Sequence, residues 1–396
     1  MQTWYKKFFS QPHQPFFTSG ILFLILYMCI FSASYLNLIA LDDSVINFHA
    51  YPMVYVIFIQ FFLGFLFVVF PRFLSQAEIS IKEYMNQFFL YIISSLGIFV
   101  SLIFFSKITF IFQILMLIAQ ILSFRLLYSI HKKSLVKIKD DTKWILIAFI
   151  SGIVFHTLYI LSTSIFPFSY ELSGLAIYGG FYLFLFMVIF IIAQRMIPFF
   201  TTTKANDYIV NKSRNLLLIV YSLLAFKVFL LSFDNAKINL LADIPLFIMF
   251  TRELIKWKLP FFKVTAIMWV LYLGLYWIPF AFLISIIEGF MAFYNPEIIF
   301  EKVVVHTLAL GYFLTILIGF GTRVILGHSG TTPHANNFAI FIFISVQVIS
   351  LLRIFTSFSL NFSLDYAFFL NLTSILLILG LIIWSSRYIT ILLKGK

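Results

Sequence analysis

Twelve apolar runs follow one another along the chain, at about 18–40, 52–70, 88–105, 108–127, 144–165, 174–194, 215–232, 238–251, 261–284, 303–321, 337–357 and 367–390. Most lie near the roughly 20 residues that carry a helix across a bilayer. In lipid every backbone N–H and C=O must be bonded internally, which leaves helices and closed barrels as the spanning structures. The eighth run is short and holds Asp243 and Pro245. Of the 396 residues 62% are hydrophobic and 11% charged, against roughly 25% charged in soluble domains. No water-soluble fold covers that much apolar surface. The expected fold class is all-α: a polytopic membrane bundle of about twelve transmembrane helices, forming a single integral domain over residues 1–396 with the lipid bilayer as its first partner.

Charge gives the bundle a direction. Of the 27 Lys and Arg residues, all but Lys107, Lys227, Lys237, Lys302 and Arg353 fall at the ends and connections on the side that holds the N-terminus. The positive-inside rule then puts both termini in the cytoplasm. The acidic residues Asp42, Asp43, Glu171, Glu288, Glu297 and Glu301 fall on the outer side. The net charge of +12 is therefore a signal of topology and not of a nucleic-acid partner. The short basic N-terminal stretch has no cleavable signal pattern, so the first run is expected to be retained. Its one cysteine, Cys29, excludes an internal disulfide and a Cys-based metal site, and no C-x-x-C-H is present to attach a c-type haem.

Against this hydrocarbon background the polar residues need reasons, because ionisable groups in or beside apolar spans are costly. His306 opens the tenth run, and Arg323 and His328 close it. His49 precedes the second run on the outer side. His13 precedes the first on the inner side, where His328 and His334 also fall; His131 sits among loop lysines. His156 is twelve residues into the fifth run, roughly 18 Å along a helix, and burial there requires a partner. Imidazole suits Fe, Cu and Zn, and helix bundles present such ligands from facing helices. The alternative is that these histidines bond carbonyls at helix ends. Arg195 and Arg323 each end a run, either as interfacial anchors or as bidentate partners of a carboxylate such as a haem propionate. Gly311, Gly319 and Gly327 recur eight apart, which allows close helix approach or leaves room for a flat macrocycle.

Some motifs are absent. No P-loop, G-x-G-x-x-G or H-E-x-x-H occurs. Asp243 is the one acidic residue that the runs place within a span, where a proton pump is expected to carry more.

Four elements resemble the NnrS family of bacterial polytopic membrane proteins. Pro12-His13-Gln14-Pro15-Phe16-Phe17 is similar to a P-H-R-P-F-F element. Phe48-His49-Ala50-Tyr51-Pro52-Met53, followed by Gly64, is similar to W-H-A-H-E-M…G. Arg195-Met196-Ile197-Pro198-Phe199-Phe200-Thr201 is similar to R-x-I-P-F-F-T. His306-Thr307 to Gly311, with Thr322-Arg323-Val324-Ile325-Leu326-Gly327-His328-Ser329-Gly330, is similar to H-A-L-x-x-G…T-R-V-x-L-G-H-T-G. The resemblance implies haem, b-type and non-covalent, with copper as a second metal, in the nitric oxide response and denitrification at the bacterial cytoplasmic membrane. It implies a cofactor-binding set of His13, His49, His306, His328, Arg195 and Arg323, with His49, His306 and His328 as metal ligands. His49 and His306 are expected to share one metal or haem iron on the outer side. Tyr51 and Pro52 stand where the family often has His and Glu, Gln14 where it has Arg, and Thr331 where Arg is common, so one metal ligand is missing where copper is concerned.

Two other readings compete. A secondary transporter for a small anion would use Arg195 and Arg323 as its binding groups. A terminal-oxidase-like electron-transfer enzyme would need more intramembrane histidines, including an adjacent pair that this chain does not have. The residues name neither an electron donor nor a catalytic group.

Overall fold

The computed structural model describes residues 4–164, 169–203, 208–261, 264–328 and 335–394, and among them every regular element is a helix. After a short N-terminal helix, Trp4–Phe8, we number the long ones in chain order. They are α1 His13–Tyr35, α2 Val45–Phe73, α3 Ile81–Phe104, α4 Thr109–Lys133, α5 Asp140–Ser164 and α6 Glu171–Thr202, then α7 Leu216–Leu231, α8 Ala236–Trp257, α9 Ala266–Tyr294, α10 Val303–Gly327, α11 Asn337–Phe358 and α12 Tyr366–Lys394.

Each apolar run falls largely within one of these helices. Ten are long and apolar enough to cross a membrane by length and composition; α7 is shorter, and α8 carries too many charged residues. The protein is thus a multi-pass, all-helical membrane protein. Pro245 does not interrupt α8, and Pro52, Pro71, Pro198 and Pro279 also lie inside helices. Inside a bundle, neighbouring groups and local widening re-satisfy the backbone that a proline disturbs.

Helix ends differ from run ends where polar residues continue a helix past the apolar stretch. The α4 helix runs on through His131, Lys132 and Lys133, so the connection expected over 128–143 shrinks to a few residues. The α9 helix runs ten residues past the expected limit at 284, to Tyr294. That places Glu288 inside a helix, where the sequence had put it in the outer connection. Segment 208–215 is tied down as well. Glu253 accepts bonds from the Ser213 backbone N–H at 2.9 Å, the Ser213 hydroxyl at 2.6 Å and the Trp257 indole N–H at 2.9 Å.

The helices sort into two compact units, residues 1–188 with 381–396, and residues 189–380. In the first, α2 is almost wholly buried, and Gly64 is where it meets α1. A Cβ there would lie 2.9 Å from Phe16 Cβ and 3.2 Å from the His13 Cα. Because one of those neighbours is backbone, the helices would have to move apart. Replacing Gly64 with Leu is expected to cost about 1–3 kcal/mol through overpacking, read as a lower thermal midpoint in detergent, with a smaller fall for Gly64→Ala.

In the second unit the glycine stripe of α10 is filled at two of its three positions. A Cβ at Gly311 would meet the Trp277 ring at 2.5 Å, and one at Gly319 would meet Leu271 at 2.6 Å. These two glycines serve close packing against α9 and leave no slot for a macrocycle.

Candidate functional site

The three most buried of the ten candidate spans are α2, α6 and α10. These are also the three that carry His49, Arg195 and the His306–His328 element. Each contains a π-helical stretch, Met53–Ile57, Gly180–Phe186 and Thr307–Leu314. Such widened turns interrupt the regular ladder and are frequent at functional sites. Nothing in the apolar pattern marks them; the nearest sequence signal is Pro52, just before the first.

In the first unit His13 is the first residue of α1, buried, with its ring 6.0 Å from Phe17. Through Gly64 its backbone packs against α2, so two of the four family-like elements meet. His49 lies in the first turns of α2, past the cap formed by Ser44, whose hydroxyl accepts from the Asn47 N–H at 3.1 Å. Its half-buried ring packs at 4.5 Å on Phe31.

His156 is fully buried in α5, and the structure decides its role. Its Nδ1 lies 2.9 Å from Gln120 Oε1 on α4, and its Nε2 lies 2.8 Å from the Tyr51 hydroxyl on α2. An amide oxygen can only accept, so Nδ1 carries the proton and Nε2 accepts from Tyr51. The Tyr55 ring stacks on the imidazole at 4.4 Å, and the Tyr55 hydroxyl donates to the Ala176 carbonyl at 2.6 Å. With both nitrogens in hydrogen bonds, His156 ties α5 to α4 and α2. Tyr51, which stands where the family often has His, is its partner. Tyr51→Phe should leave Nε2 buried without a donor and cost about 1–3 kcal/mol; thermal unfolding of the variant against the parent checks this.

In the second unit His306 Nδ1 lies 2.9 Å from the Lys302 carbonyl, one turn back. The Arg353 guanidinium of α11 sits beside the same ring, with Nη2 3.2 Å from Nδ1 and 3.4 Å from Nε2. Arg353 is buried, and its Nη1 donates to Ser357 Oγ at 2.7 Å. The charge pattern had made Arg353 a marker of the outer interface. Its burial beside His306 is a tertiary fact that no local signal carries. With Nδ1 donating its proton to the Lys302 carbonyl, Nε2 keeps its lone pair, and the Arg353 guanidinium is the donor that faces it.

At the other end of α10, Arg323 meets the Arg195–Thr201 element. Its guanidinium lies 3.8 Å over the Phe200 ring, and its Nη1 is buried with no hydrogen-bond partner among the described residues. Arg195, on α6, is half-buried. His328 closes its helix, but its side chain and His334 lie outside the described residues, as do Ser329, Gly330 and Thr331. Between the two ends a polar chain runs beside the π stretch of α10. Trp277 Nε1 donates to Gln347 Oε1 at 2.6 Å, and Gln347 Nε2 donates to Thr315 Oγ1 at 3.1 Å.

Among the described residues no group of three or more His, Cys, Asp or Glu side chains comes together to hold a metal ion. A family model described as NnrS protein matches residues 7–396, nearly the whole chain. No curated protein matches it.

Proposed function

The chain belongs to the NnrS family, and we propose that it is a haem-binding protein of the bacterial cytoplasmic membrane that acts in the nitric oxide response. The observation that carries the proposal is Arg323. Its Nη1 is buried and unpartnered among the described residues while Phe200 holds the guanidinium plane. A buried guanidinium nitrogen without an acceptor calls for an anion, and the fork geometry fits a carboxylate such as a haem propionate. Phe200 belongs to the family-like element that Arg195 opens, and Arg323 lies in another, which supports the same reading.

For the iron, the chain offers His13, His49, His306 and His328. His306 directs its Nδ1 proton to the Lys302 carbonyl, and iron on its Nε2 would take the place of the Arg353 guanidinium there. Bound ferrous haem supplies an iron that takes nitric oxide as a ligand. The protein contributes the histidine that holds the iron, the arginine that holds the carboxylate, and an apolar interior into which nitric oxide partitions. Copper fits less well. No third ligand joins any pair of histidines among the described residues, and the phenol of Tyr51 is committed to His156. The proposal therefore carries haem alone.

The test is a spectrum. Protein made in a haem-replete bacterium and purified in detergent is expected to show a Soret band and about one haem or more per chain. No Soret band, together with no stoichiometric binding of added haem, would overturn the proposal. A colourless protein that binds small anions through Arg195 and Arg323 would favour the transport reading instead.

A further inference from the structure

The α7 helix, shorter than a membrane span, and the α8 helix, more charged than one, are joined by a buried ion pair. Lys227 of α7 and Asp243 of α8 form an ion pair of 2.7 Å between Nζ and Oδ2, with side chains 2% and 0% exposed. Ser285 of α9 donates to the same Oδ2 at 2.7 Å, and Lys227 Nζ reaches Ser285 Oγ at 3.3 Å. The other carboxylate oxygen, Asp243 Oδ1, is buried and has no partner among the described residues. Hydrogen-bonded chains in a dry interior leave such acceptors empty rarely, because an unmatched one is costly.

Glu288 stands three residues after Ser285 on α9, hence on the same face and one turn nearer the end of that helix. It is half-buried, and the charges of Lys227, Asp243 and Lys302 all act on it. At 1.5 Å per residue, Asp243 lies roughly 10 Å inside the start of α8. Glu288 therefore sits between that depth and the aqueous end. Other charges at this end are Asp234 and Lys237 at the α7–α8 turn, with Lys237 Nζ 4.8 Å over the Phe293 ring, and Glu297 and Glu301 in the connection to α10.

We propose that Lys227, Asp243 and Ser285, fed by Glu288, form a proton-exchange site inside the second unit. The ligand is a proton delivered from the aqueous face, and Asp243 Oδ1 receives it. In the transfer one O–H bond breaks at the Glu288 carboxylic acid and one forms at Asp243 Oδ1, directly or over a water. Glu288 is left a carboxylate and takes its next proton from the aqueous face. Lys227 Nζ, 2.7 Å from Oδ2, is the ion-pair partner of Asp243 until the proton arrives. The site is separate from the haem reading and stands without it. It also revises the sequence-based objection that this chain has too few intramembrane acids to move protons, since Glu288 now joins Asp243.

The test is infrared difference spectroscopy of the purified full-length protein, titrated between about pH 3 and pH 11, which spans the ordinary carboxyl and amine values. The expected result is a carboxylic-acid C=O band that rises as pH falls, shifts in deuterated buffer, disappears in Asp243→Asn and titrates at a different pH in Glu288→Gln. If Asp243→Asn does not fold, Glu288→Gln decides alone: it must move the midpoint of a band that survives it. No titrating band, a band that neither variant changes, or one that Glu288→Gln abolishes would overturn the proposal. The pair would then be a static ion pair beside a solvated glutamate.

Discussion

Lys227→Met is expected to destabilise the protein by about 3–5 kcal/mol, the range for removing one partner of a buried ion pair. The lysine stem is replaced by a chain of similar length, so packing changes little and the lost interaction is the charge. Asp243, fully buried, keeps only Ser285 and must be neutralised by taking a proton. In thermal unfolding of detergent-purified protein the midpoint should drop sharply. Lys227→Met combined with Asp243→Leu should recover most or all of it, because an apolar pair of matching volume needs no desolvation. A single variant within about 1 kcal/mol of the parent, the ceiling for most solvated pairs, would show that water reaches the site.

How much of this was legible in the sequence depends on the range of the interaction. The helices were, because backbone bonding in lipid leaves the chain few choices and the run lengths carry the signal. Their ends were less so, since α4 and α9 continue through charged residues once the apolar stretch stops. The partnership of Lys227 with Asp243 had a weak local signal. The two flank the short turn between α7 and α8 on either side, and an antiparallel hairpin brings such positions close. Read one residue at a time, Lys227 passed for an outer topology marker, and Asp243 for an isolated acid. The environment of His156 had no local signal at all. Its partners come from α2 and α4, and Tyr51 was visible only as a departure from the family pattern. The network explains that departure: a phenol at 51 satisfies the imidazole at 156. Arg353 and the π-helical stretches were likewise outside what periodicity can report.

His306→Ala is expected to remove or shift one haem component in the reduced-minus-oxidised spectrum, while components that rest on the other end of α10 persist. The separation follows from helix geometry. His306 and His328 lie at opposite ends of one helix, roughly 30 Å apart at 1.5 Å per residue, so they cannot ligate the same iron. The competing expectation is equally definite. If His306 only closes a helix end through its bond to the Lys302 carbonyl, its loss costs on the order of 1 kcal/mol and leaves the spectrum untouched. Arg353 separates the two further. Its Nη2 lies 3.4 Å from His306 Nε2, so a bound iron there would displace that contact and keep the positive charge close by. Positive charge near the iron favours the reduced state, as burial and the groups around an axial ligand tune its potential. Arg353→Gln should therefore lower the midpoint potential of the component that His306→Ala removes. A spectrum unchanged in His306→Ala, with haem content intact, would take His306 out of the ligand set and leave His13, His49 and His328 to hold the iron.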